Sequence, residues 1–113
     1  MKIINQTRKT ILADDAVIAN TFLSRIQGLL GKKGLNQGQA LILKPCSSVH
    51  TCFMRFPIDI LFVDRNNQVL RTVANLVPFR FSPIFFKSRF VIELPAGIIR
   101  STSTSQGDKL ILE

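Results

Sequence analysis

Apolar positions recur along this chain in short, β-branched bursts separated by turn residues, and only once at helical spacing. Lys2 to Gln6, Thr10 to Ala13 and Ala16 to Ile18 form such bursts, and the turn-forming pair Asp14-Asp15 breaks them, so this region reads as a β-hairpin. Ala40 to Leu43 is a short buried strand stopped by Pro45. Ile58 to Val63 and Val69 to Leu76 flank Asp64-Arg65-Asn66-Asn67, residues that tolerate the positive φ of a hairpin turn. Val77 to Arg89, with two prolines and several phenylalanines, reads as an extended apolar connection. Phe90 to Leu94 is a strand ended by Pro95-Ala96-Gly97, and Lys109 to Leu112 is the last.

The helical spacing falls at Phe22, Leu23, Ile26, Leu29 and Leu30, one face of a helix that Asn20 or Thr21 caps and Gly31 ends. It is the single helix expected. The pattern predicts a mostly β (α+β) fold, a small, partly closed β-barrel or rolled antiparallel sheet of about seven strands with one short helix. No repeat or linker divides the chain, so residues 1–113 are expected to form one domain.

Size and composition keep this picture within ordinary globular limits. The 113 residues are 46% hydrophobic and 19% charged, and the apolar runs are far shorter than the roughly 20 residues that cross a bilayer. The start Met1-Lys2-Ile3-Ile4-Asn5 lacks the apolar stretch of an export signal, so a cytoplasmic protein is expected. Fifteen Lys and Arg against seven Asp and Glu give a net charge of +8, which attracts anionic partners at long range. The basic residues are scattered, however, and no Trp or Tyr is present to stack on bases, so the charge reads as a solvated surface. Nucleic acid or an anionic lipid surface is the alternative partner. Two cysteines, Cys46 and Cys52, are too few for a disulfide scaffold and are expected as thiols.

Reactive residue types concentrate between Cys46 and Asp59, a stretch holding both cysteines and the sole histidine, His50. A hydrogen-bond network of His50, Thr51 and Asp59 would order this loop. Three chemical readings stand beside that. Cys46, His50 and Cys52 offer soft metal ligands, but Cys-x3-His-x-Cys is not a standard zinc spacing and no fourth Cys or His is available, so no metal is expected. A Cys52 nucleophile activated by His50 needs a thiol lowered by neighbours such as Arg55, yet residues two apart on a strand are not aligned for proton transfer. The preferred reading pairs His50 with Asp59, the carboxylate orienting the imidazole toward a ligand and raising its pKa. Further along, Glu93 is the sole acid between Asp64 and Asp108, and mid-helix Arg25 is its candidate partner.

Taken together, the blocks Ala19-x-Thr21-x3-Arg25-x2-Gly28-Leu29-Leu30-Gly31, His50-Thr51-x2-Met54-x2-Pro57-Ile58-Asp59-Ile60-x-Phe62-x-Asp64, Val91-x-Glu93-Leu94-Pro95-Ala96-Gly97 and Gly107-Asp108 resemble one known family, domain of unknown function 192 (uncharacterised protein family 0127). The resemblance covers nearly the whole chain. It implies a small mostly β prokaryotic domain with one helix after the first strands, and no established activity. Members often carry an N-terminal export or membrane segment, which is not expected from the start Met1-Lys2-Ile3-Ile4-Asn5, and the cysteines are not part of the pattern. Arg25, His50, Met54, Pro57, Asp59 and Glu93 match the motif.

The function expected is a non-enzymatic module that binds a small anionic ligand or a protein segment in a groove rimmed by the His50 to Asp59 loop. Its candidate binding residues are His50, Thr51, Met54, Arg55, Asp59, Arg25 and Glu93, with no cofactor. One alternative is a small hydrolase or lyase using His50 as acid or base. The other is a basic protein that binds nucleic acid or an anionic surface.

Overall fold

The computed structural model describes residues 1–19, 34–46, 56–78 and 80–113. Among them, eight strands form two sheets. β1 (Ile3–Asn5), β2 (Thr10–Ala13) and β8 (Leu110–Leu112) build a three-stranded antiparallel sheet in the order β2-β1-β8. β3 (Asp15–Ala19), β4 (Gln39–Leu43), β5 (Ile58–Val63), β6 (Val69–Leu76) and β7 (Phe90–Pro95) build a five-stranded sheet in the order β3-β4-β7-β5-β6. Neither sheet closes on itself, and the bridge between Gln68 and Lys109 joins them at one edge. The result is the rolled, mostly β architecture that the apolar pattern predicts.

Two departures have physical causes. Asp14-Asp15 makes a corner, not a hairpin. β2 pairs back onto β1, while β3 crosses to the other sheet and runs parallel to β4. The amides of Asp14 and Asp15 both donate to the Gly38 carbonyl, at 3.0 and 2.9 Å, and that third partner pulls the chain out of the first sheet. A parallel pair needs a long crossover, which residues 20–38 supply. The helix expected over residues 20–31 lies in this connection, outside the described residues. The second departure is α1 (Ile98–Thr102), a helix that the sequence reading leaves out. Its five residues are too few to display a periodic face, and Ile98-Ile99 has β propensity. Gly97, at φ 101°, turns the chain into it.

The central strands β5 and β7 of the five-stranded sheet are buried on both faces. On one face Ile42, Leu61, Val63, Ile92 and Leu94 pack against Ile3, Leu12 and Leu110 of the small sheet and against Ile98 and Ile99 of α1. On the other face Leu43, Ile58, Ile60, Phe62 and Val91 form a second cluster, with Ala19, Leu35, Cys46, Phe56 and Phe85 against it. All six residues of β5 are therefore buried, and a central strand covered on both sides reads as a continuous apolar run. The sequence reading places a core only on the Ile58, Ile60 and Phe62 side. The small sheet and α1 cover the Asp59 and Leu61 side as well.

Among the described residues no helix is long and apolar enough to cross a membrane, which says nothing of spans made by strands.

Candidate functional site

Asp59 sits on β5 with no exposed surface. One carboxylate oxygen accepts the Asn75 amide at 2.8 Å, and the other accepts the Gly97 and Ile99 amides at 3.1 and 2.9 Å. Asn75 lies at φ 55°, which turns its N–H toward the carboxylate at the end of β6. Gly97 and Ile99 open α1, which has no acidic residue in its first turn and no side-chain cap of its own. Asp59 thus supplies from a neighbouring strand the anionic acceptor that the helix N-terminus lacks. Three bonds to a charged acceptor tie β5, β6 and α1 together.

Glu93 lies one strand away, on β7, and faces the other side. Its register partners are Leu41 on β4 and Ile60 on β5, whereas Asp59 pairs with Leu94. Glu93 therefore lies on the face of the second cluster and Asp59 on the face of the first. Glu93 is 4% exposed, and among the described residues nothing donates to its Oε2. Desolvation by burial disfavours the charged form and pushes its carboxyl up to about 7.

Arg25, His50, Thr51, Met54, Arg55 and Cys52 lie outside the described residues, so neither the His50–Asp59 pair nor the Arg25–Glu93 pair has a described geometry. The ends of their segments are described. Ala19 and Leu35 flank residues 20–34, and Cys46 and Phe56 flank residues 47–55. All four pack in the second cluster. The described ends of both segments that carry candidate residues thus lie on the Glu93 face. Cys46 is half-buried there, its carbonyl accepting the Ser88 hydroxyl at 2.9 Å. Among the described residues, no three His, Cys, Asp or Glu side chains gather where a metal could bind.

The sequence reading does not single out a second polar centre, where the chain ends meet. Asn5, fully buried, donates to Thr104 Oγ1 at 3.1 Å and to Asp108 Oδ2 at 2.9 Å. Arg8 Nε and the Ser105 amide donate to the same Asp108 oxygen at 3.1 and 2.9 Å. Burial alone would raise the Asp108 carboxyl, but the bonds from Asn5, Ser105 and Arg8 outweigh it and hold the group below its usual value. Asn5 and Arg8 lie about a hundred residues from Asp108 in sequence, so no local spacing announces the centre.

Comparison with known proteins adds identity to this geometry. The family model of domain of unknown function 192, described as an uncharacterised ACR, matches residues 3–112. A UPF0127 protein of Pyrococcus horikoshii is 32% identical over 111 residues, which cover 96% of this chain and 96% of the relative. One of Thermococcus sibiricus is 29% identical, over 96% of this chain and 72% of its own length. Among solved structures, a Novosphingobium aromaticivorans protein of unknown function superposes with a TM-score of 0.84 at 20% identity, covering 98% of this chain and 82% of that one. A Sinorhizobium meliloti protein provisionally named a transcription regulator does so with a TM-score of 0.80 at 20% identity, covering 97% and 89%. The structures share the fold. Match to the family model along almost its whole length, and the likeness to archaeal relatives, make this chain a member of the domain of unknown function 192 family.

Proposed function

We propose that the protein is a non-enzymatic binding module whose site lies over the second face of the five-stranded sheet, centred on Glu93 and rimmed by the segments that carry Arg25 and His50. One observation carries this reading. Glu93 keeps an oxygen without a described donor in an otherwise apolar, buried face, an arrangement that costs stability unless something is gained from it. With its carboxyl pushed up to about 7, the group is close to half protonated at neutral pH. Its O–H can then donate to a carboxylate or phosphate oxygen, and the segments that flank this face carry Arg25, His50 and Arg55 in sequence. A small anionic ligand fits that chemistry. Asp59 acts here as a structural support, since three backbone amides already occupy its oxygens.

Titration of the 15N-labelled protein with inorganic phosphate and with succinate tests the reading. We expect shifts centred on the amides of Leu41, Ile60 and Glu93, together with a rise in the Glu93 pKa as the anion favours the protonated acid. Glu93→Gln, which retains a donor, should still bind; Glu93→Leu should not. If neither anion moves those amides nor the Glu93 titration, the site is not an anion site.

A further inference from the structure

From the loop between β6 and β7, Phe85 packs into the second cluster. That ring packs on Phe62 with centroids 4.5 Å apart and lies 6.0 Å from the Arg71 guanidinium. Its neighbours face the other way: Ile84 is 56% exposed, Phe86 89% and Phe81 74%.

Phe86 is held in this position by its surroundings. The Ser88 amide donates to the Phe85 carbonyl at 2.8 Å, closing a turn with Phe86 at its second residue. The Ser88 hydroxyl, itself buried, shares its one hydrogen between the Cys46 and Phe90 carbonyls, at 2.9 and 3.1 Å, and the Arg89 amide donates to the Val63 carbonyl at 2.8 Å. The turn is pinned on the side facing the fold, and its apolar tip points to water.

The surroundings of that tip are rich in cations: Arg65, Arg71, Lys87 and Arg89 line the clefts beside Phe86, against one acid, Asp64. Two open clefts flank Phe86. One, of about 410 Å³, is lined by Arg65, Lys87 and Arg89 beside Asp64, whose Oδ1 is taken by the Asn66 and Gln68 amides. The other, of about 390 Å³, is lined by Arg71, Lys87, Leu70 and Ile84. Among the described residues, Arg65, Lys87 and Arg89 make no ion pair.

We infer that this loop is a peripheral docking surface for an anionic lipid bilayer, with Phe86, Ile84 and Phe81 entering the headgroup boundary and the lipid phosphates seated in the two cationic clefts. Apolar side chains ringed by Lys and Arg are the composition that binds such an interface through buried area and charge together. The mixture of side chains favours this occupant over a nucleic acid, because Ile84 and the exposed Val77 offer no flat ring for a base to stack on, whereas both gain by leaving water. A second copy of the chain would bring the same +8 charge and be repelled.

The chain contains no Trp or Tyr, so Phe86→Trp places a single fluorophore at the tip. We expect its emission to shift to the blue, and the protein to co-sediment, with phosphatidylcholine vesicles containing about 30% phosphatidylglycerol, but not with phosphatidylcholine alone. In the otherwise native chain, Phe86→Ser should weaken partitioning about ten-fold and Lys87→Gln about five-fold. The melting temperature should not change, because both side chains are exposed. Failure to partition would overturn the inference. So would partitioning that Phe86→Ser leaves intact, which is bulk charge attraction alone. So would a Phe86→Trp signal that answers to a single-stranded oligonucleotide and not to vesicles, which would make the rings a stacking platform.

Discussion

Asp59 and Glu93 are acids on adjacent strands, both buried, and what separates them is the supply of donors. Three amides surround Asp59, so its charge is compensated where it sits. Glu93 has apolar register neighbours and keeps its proton up to about 7. That shift links stability to pH in a definite direction. Between the ordinary value of 4.5 and about 7, the folded protein retains a proton that the unfolded chain has released. Glu93 is therefore best tolerated at acid pH, and stability falls as pH rises through this window. The whole effect is on the order of 3 kcal/mol. Glu93→Gln keeps the shape and cannot ionise. Urea melts of the two proteins should be close at about pH 4.5 and diverge toward about pH 8, with the variant the more stable; parallel curves would mean that Glu93 has a donor in solution.

At the scale of elements, the sequence was readable wherever a segment's own pattern decides its state. The hairpin of β5 and β6 around Asp64 to Asn67, and the strands Thr10–Ala13 and Phe90–Pro95, stand almost where β-branched runs and turn residues put them. Partners decide the rest. Asp14-Asp15 would suit a hairpin, but becomes a corner because Gly38, more than twenty residues later, takes both amides. Asp59 reads as a candidate site group because three amides from β6 and α1 are invisible in its neighbourhood of the sequence. Asp108 is a similar case. It binds the turn after β1 to the turn before β8 through Asn5, Arg8 and Ser105, so its removal should loosen both ends of the small sheet. A carboxyl held below its ordinary value stabilises the fold above that value and loses the contribution as pH falls through the folded one. We expect Asp108→Asn to cost about 2 kcal/mol near neutrality. Its melting temperature should converge on that of the parent in acid; a constant gap down to about pH 2 would show that the carboxylate charge plays no part.

For the molecule as a whole, the two clusters raise the question of whether residues 1–113 melt as one unit. β5 and β7 are common to both, and their side chains alternate between them: Leu61 and Ile92 enter the cluster shared with the small sheet, Ile60 and Val91 the other. Neither cluster can lose its packing without exposing the far side of the same strands, so the two should share one transition. Leu61→Ala and Ile60→Ala are adjacent substitutions at fully buried positions that address opposite clusters. Each should cost about 2–5 kcal/mol, since the sheet cannot collapse onto a cavity between fixed strands. That is a large part of the 5–15 kcal/mol that holds a typical domain together. Both variants should therefore melt earlier, each in a single transition, with the denaturant slope of the parent and with far-UV circular dichroism and calorimetry coincident. The small sheet provides the sensitive test, because β1, β2 and β8 touch only the first cluster. If Ile60→Ala produced an early step in which the NMR signals of Ile3, Leu12 and Leu110 persisted after those of Phe62 and Val91 had gone, the clusters would be separate cooperative units and the chain would not be one domain in the thermodynamic sense.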